Sequence, residues 1–238
     1  MSAEGVVMHE ASLNTRAESM DGVAWGLRIR YVMENAKTIE EGLAAWNETE
    51  NTTGLTFSLG SAQDQEQVSL ETNNIHTAVF HAHDDREASA LMDGKNYGFP
   101  MLHAVWRANH GYDPNILKHA TAPYPTGDTI FGSETRYMLI HDTLKYYESL
   151  GPNSIDLIRA VNISSVPGDK GPPRAENANH YLNCSDSGPN GGHNVISVAM
   201  RPISGEMYIA YENGMDEERS VASCNPYVYF NLTKWFDN

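Results

Sequence analysis

The chain has 238 residues, 40% of them hydrophobic, enough to build a sizeable core in one large domain or two small ones. Acidic residues number 31 against 16 basic ones, a formal net charge of -15, and no Lys/Arg cluster makes a local basic face. A phosphate backbone would be repelled, which excludes nucleic acid as a partner, and no stretch approaches the length of a membrane span.

No linker, charge run or internal repeat divides the chain, so residues 1–238 read as a single domain. The N-terminal MSAEGVVMHE has neither a basic flank nor an apolar run and is no signal peptide. Val6 to Glu10 reads as a short strand. Trp25 to Glu34 reads as a helix with Ile29, Val32, Met33 and Ala36 on one face, widened by Leu27 and Tyr31. Thr38-Ile-Glu-Glu41 is a capping box that opens a second helix carrying Leu43, Ala44 and Trp46. Leu55 to Gly60, Val68 to Thr72 and His76 to His81 then alternate apolar and polar side chains between turn residues, as an antiparallel meander does. Asp84 to Pro100 reads as a loop with a short helix. Ala104 to Arg107 reads as a short extended run into Asn109-His110-Gly111. A helix over Ser133 to Leu150 follows, with Tyr137, Ile140, Leu144 and Tyr147 on one stripe. Asn153 or Ser154 is expected to cap the next helix, which runs to about Val161. Pro167 to Gly192 reads as a long loop, and Val195 to Met200 with Glu206 to Tyr211 as a hairpin. Segregated runs of strands and helices predict an α+β fold rather than a βαβ array.

No standard motif fixes the chemistry. There is no G-x-S-x-G elbow and no H-E-x-x-H, and Gly168-Asp-Lys-Gly171 lacks the spacing of a phosphate loop. His81 and His83, placed on a strand, would share a face and could hold a zinc ion with a nearby carboxylate, or simply be two exposed polar residues. The Asn109 amide, at the end of its apolar run, suits an oxyanion donor or an Asx-type cap. Ser2 would be an N-terminal nucleophile only if Met1 were removed, and no preceding strand holds it. Cys184 and Cys224 are the only cysteines, either one disulfide or two buried thiols, and neither sits in a catalytic signature. Five N-x-[ST] sequons begin at Asn47, Asn51, Asn162, Asn183 and Asn231. Sequons and paired cysteines together favour a secretory or lysosomal compartment.

Several runs, in order, resemble one family. Ser2-Ala-Glu-Gly5-Val-Val-Met-His-Glu is similar to its first strand, and Asp21 to Trp46 to its helix pair. Phe57-Ser-Leu-Gly-Ser-Ala and Val68-Ser-Leu-Glu71 look like the strands that follow. Trp106-Arg-Ala-Asn109-His110 is similar to its T-N-H run, and Gly132-Ser-Glu-Thr-Arg136-Tyr137 to its Ser-x-x-Arg helix start. His193 to Val198 and Met207 to Ala210 resemble its closing hairpin. The family is the acyl-coenzyme A:6-aminopenicillanic acid acyltransferases, within the N-terminal-nucleophile hydrolases. The resemblance implies an αββα sandwich, two antiparallel sheets between helical layers, incomplete at the N-terminus. It implies that a cysteine exposed by autoproteolysis attacks an amide or thioester carbonyl, with its own amine as base. The substrate would be a small acyl amide or thioester, with no cofactor. Asn109 would supply the oxyanion-stabilising amide and Arg136 a pocket or structural group. Ser2 stands where the family usually has Asn. The cysteine-bearing segment is expected before residue 1, on a missing N-terminal segment or a partner chain. The chain is then a processed subunit, a fragment or a remnant. Two alternatives stay open: a non-catalytic binding or structural module of the same fold, and a metal-dependent hydrolase using His81 and His83.

Overall fold

A computed structural model describes residues 1–92, 95–121, 133–151, 153–164, 196–212, 222 and 225–236. The described residues are mixed α+β and form two compact units, Met1–Tyr137 and Met138–Asn238.

The first unit is built on an antiparallel sheet in the order β1 (Val6–Ser12), β2 (Leu55–Ser61), β3 (Glu66–Thr72) and β4 (Thr77–Phe80). Its centre pairs Phe57 with Leu70 and Leu59 with Val68. Alternation along the strands sends Leu55, Phe57, Leu59, Val68 and Leu70 to one face. There they pack under α1 (Trp25–Asn35) and α2 (Ile39–Asn47) to make the main apolar core. Trp46 sits on Phe57 with ring centroids 4.5 Å apart. The capping box forms: Thr38 Oγ1 accepts from Glu41 N at 3.1 Å, and Glu41 Oε2 accepts from Lys37 N at 2.8 Å.

The face of α1 differs from its periodicity. Leu27 and Tyr31 are exposed, while Arg28 is buried at 2% exposure. The last carbonyls around the α2 C-terminus need donors, and Arg28 supplies them. Its Nη2 donates to Trp46 O at 2.5 Å and Thr49 O at 2.7 Å, and its Nε donates to Thr49 Oγ1 at 2.7 Å. The guanidinium lies 3.6 Å from the Trp46 ring centroid.

Beyond the sheet come α3 (Asp85–Ala88), the two-residue strands β5 (Leu91–Met92) and β6 (Lys95–Asn96), and α4 (Pro114–Leu117). The boundary between the units falls within α5 (Ser133–Ser149). In the second unit α6 is Leu157–Ser164, later than expected. Neither Asn153 nor Ser154 caps it: Asp156 Oδ1 takes the Arg159 N–H at 2.7 Å. β7 (Ile196–Arg201) and β8 (Glu206–Tyr211) form the expected hairpin, turning at Gly205 in the left-handed region with φ of 65°. A third strand, β9 (Val228–Asn231), pairs with β8, and α7 (Thr233–Phe236) follows. No helix among the described residues is long and apolar enough to cross a membrane.

Candidate functional site

The second face of the four-stranded sheet carries Thr56, Ser69 and Glu71, all buried. The segment from Ala104 to Asp113 lies against this face without forming a named strand. A polar sheet face asks for polar partners, and irregular backbone can turn its groups toward them. Glu71 Oε2 accepts from Tyr112 N at 2.8 Å and Asp113 N at 3.0 Å, and Oε1 accepts from Arg107 Nε at 2.8 Å. Arg107 Nη1 reaches Glu87 Oε2 at 2.9 Å, and its guanidinium lies 4.4 Å from the Phe80 ring centroid. Burial pushes the Glu71 carboxyl up, against Arg107 and the two backbone N–H groups, which favour the carboxylate. Burial also opposes the charge on Arg107, and Glu71 and Glu87 outweigh it and hold that guanidinium above its ordinary value. Gly111 makes the approach possible, because a Cβ there would stand 2.8 Å from Glu71 Oε2.

Above this triad runs an aromatic and hydroxyl layer. His110 is fully buried. Its Nδ1 lies 2.7 Å from Ser133 Oγ and its Nε2 lies 2.7 Å from Tyr112 Oη. Burial, then the nearby Arg107 and Arg136, lowers it to about 3, so its ring is neutral at ordinary pH. Tyr137 stacks on Trp106 at 4.9 Å, accepts from Phe99 N at 3.0 Å and donates to Glu87 Oε1.

Asn109 is held at three points. Its backbone N donates to Ser133 Oγ at 2.5 Å. Arg136 Nη2, in the first turn of α5, donates to its Oδ1 at 2.7 Å. Its own Nδ2 donates to Ser12 O, at the end of β1, at 2.7 Å. Ser12 is on the wall of a cleft of about 330 Å³, where Leu13, Glu18, Trp25, Thr53 and Leu55 also line the space. The Asn109 amide is therefore one hydrogen bond from the cleft wall. Backbone pairing of Arg16 N with His119 O at 2.7 Å and Thr121 N with Asn14 O at 3.3 Å ties this region together. Chemically, the clamp fixes an amide dipole, and a guanidinium on its oxygen strengthens its N–H groups as donors.

Other sequence-derived residues fall elsewhere. β4 ends at Phe80, and His83 adopts φ of 60°, so His81 and His83 do not share a strand face. His81 Nδ1 instead meets Glu66 Oε1 at 2.9 Å on the surface. Among the described residues no group of three or more His, Cys, Asp or Glu side chains is arranged to hold a metal ion. Ser2 Oγ accepts from Val6 N at 3.1 Å at the start of β1. Asn47 is exposed at the last position of α2, and Asn162 lies within α6. Asn51 Nδ2 donates to both Asn73 O at 3.0 Å and Thr77 Oγ1 at 3.2 Å. Asn231 uses its Oδ1, which accepts from Thr233 N at 3.1 Å and Thr233 Oγ1 at 2.6 Å. Cys184, Cys224, Asn183 and the loop over 167–192 lie outside the described residues. Sequence reasoning missed Glu71, Glu87 and Arg107. Two signals were available, an arginine two residues before Asn109 and a charged residue inside a partly apolar strand.

Neither the protein-family models nor the curated proteins contain a match to this chain.

Proposed function

We propose that this chain carries the acyl-binding and oxyanion side of an N-terminal-nucleophile hydrolase or acyltransferase that cleaves amide or thioester bonds. The observation that carries the reading is the clamped Asn109: Arg136 holds its oxygen and its Nδ2 reaches Ser12 O at the wall of the cleft. In the proposed reaction the acyl carbonyl enters the cleft, and its developing oxyanion takes a hydrogen bond from Asn109 Nδ2. Arg136 holds the amide in place, which limits its reorientation at the moment of reaction. Trp25 and Leu13 offer apolar surface to the acyl group, and Thr53 and Glu18 offer polar contacts. The attacking thiol comes from a further polypeptide segment, and its own α-amine is the base. The outer edge of β1 is where such a segment would add a strand, since only β2 pairs with β1 among the described strands. Arg136 orients Asn109 rather than substrate. The proposed fold is the αββα sandwich. In its support, the first unit has a helix pair over an antiparallel sheet, and the second has an antiparallel sheet and helices of its own. A secretory or lysosomal compartment is part of the same reading.

The bond to Ser12 O also favours a second reading, in which Asn109 is a strut between β1 and α5 in a non-catalytic module. Purification from the native source separates the two. The catalytic reading predicts a co-purifying or contiguous segment with a Cys at a processed N-terminus, labelled by an acyl-transfer probe. A native protein without Cys, Ser or Thr at any processed N-terminus contradicts it.

A further inference from the structure

We infer that the cleft whose wall includes Ser12 selects amides whose acyl chain ends in an ammonium group, and disfavours nucleotide-bearing thioesters. Among the residues that line it, Glu18 alone is charged and Trp25 alone is aromatic. Thr53 Oγ1 donates to Glu18 Oε1 at 2.8 Å, which ties the carboxylate to the wall. Among the described residues Glu18 Oε2 has no protein partner and no basic side chain pairs with the carboxylate. Arg16, two positions away, turns its Nη2 to Thr121 O at 3.4 Å and does not line the cleft. Trp25 opens α1 with 42% of its surface exposed, and no described ring or guanidinium stacks on it. The loop that joins Glu18 to Trp25 is pinned along its length. Ser19 N donates to Thr52 O at 2.9 Å, and Val23 N donates to Glu50 O at 3.1 Å. Carboxylate and indole are therefore presented to one cleft by the two ends of a fixed loop.

A carboxylate with no cation of its own beside an open indole suits an organic cation. The carboxylate attracts the ammonium head, and the ring face attracts the head and covers its alkyl stem. Leu13 and Leu55 supply further apolar wall for a short stem. A metal ion would ask for more ligands than one carboxylate, and no described cluster of His, Cys, Asp or Glu provides them. Phosphates of a nucleotide carrier would face Glu18 with no basic lining residue to offset it, in a chain of net charge -15. The volume, about 330 Å³, also favours a short chain, since ligand sites span roughly 300–1,000 Å³. Placing the ammonium on the acyl group rests on the reading of this cleft as the acyl site, whereas the preference for a cation does not.

Three amides that share one alkyl chain and differ only at its end test this by NMR titration. They are δ-aminovaleramide, hexanamide and the monoamide of adipic acid, ending in ammonium, methyl and carboxylate. The ammonium amide should bind about three- to thirtyfold more tightly than the methyl one, and the carboxylate amide least well. Binding should move the indole N–H signal of Trp25, assigned by its loss in Trp25→Phe. Glu18→Gln keeps an acceptor for Thr53 but removes the charge, and should bring the ammonium amide down to the methyl one. No binding by the ammonium amide, equal binding by the ammonium and methyl amides, a preference that survives Glu18→Gln, or a Trp25 signal that stays still overturns the inference. Turnover in the nucleophile-bearing protein separates this from the catalytic reading. Cleavage of all three amides with equal kcat/KM overturns the selectivity and leaves the catalytic reading intact. The predicted binding order without cleavage of any acyl amide or thioester overturns the catalytic reading and leaves the cation site standing.

Discussion

Asn109 shows what a sequence can and cannot say about one residue. Its place at the end of an apolar run fits an Asx-type cap, and only the family resemblance added the oxyanion role. The structure gives it a guanidinium on one end and a strand carbonyl on the other. Neither partner is near in sequence, so spacing could not reveal them. Glu71 was less legible still. In an alternating strand it reads as a solvent-facing polar residue, but it is fully buried on Arg107. Removing one of the two carboxylates on Arg107, and with it the acceptor of the Tyr112 and Asp113 N–H groups, should be costly: Glu71→Ala is expected to lose ~3–5 kcal/mol in a denaturant titration, and Glu71→Gln less. His110 sets an acid limit. Its folded value, about 3, lies below its ordinary 6.5, so between those values the unfolded chain binds the extra proton. Stability contributed by neutral His110 is complete above the ordinary value and is lost as pH falls toward the folded one. The slope is up to ~1.4 kcal/mol per pH unit for one proton. Unfolding curves of His110→Gln across that window should lack this component of the pH dependence, and a slope equal to that of the unmodified protein would refute the assignment.

At the scale of elements, local chemistry was the more readable part. The Thr38 capping box, the strand meander and the β7–β8 hairpin all form where their local signals lie. Each depends on neighbours within a few residues. Thr38→Ala should therefore cost ~1 kcal/mol, read as a lower denaturant midpoint with unchanged m. The elements that escaped prediction depend on distant partners. Arg28 turns inward because α2 ends beside it, overriding the apolar stripe that Leu27 and Tyr31 suggested. Asp156 rather than Asn153 or Ser154 caps α6, because three such residues compete within one loop and only tertiary placement selects. β9 carries little alternation of its own and is specified by pairing along β8.

For the whole molecule, the charge of -15 spoke only against nucleic acid. The sequons make a sharper statement once geometry is added. A glycan replaces a hydrogen on Nδ2 and leaves Oδ1 as it was. Asn231 uses Oδ1 in its local turn, whereas Asn51 spends both Nδ2 hydrogens on Asn73 and Thr77. Peptide mapping after secretory expression should find sugar at Asn231 and at the exposed Asn47, with Asn51 bare. A fully occupied Asn51 in folded protein would contradict that geometry. The account as a whole depends on whether the Asn109 amide stabilises charge on an acyl oxygen. Steady-state kinetics of Asn109→Ala in the native, nucleophile-bearing protein measures this directly with an acyl thioester. A fall in kcat of about 10²–10³ with little change in KM is predicted. Full activity in Asn109→Ala, with only its melting temperature lowered, would make the residue a strut and contradict the account.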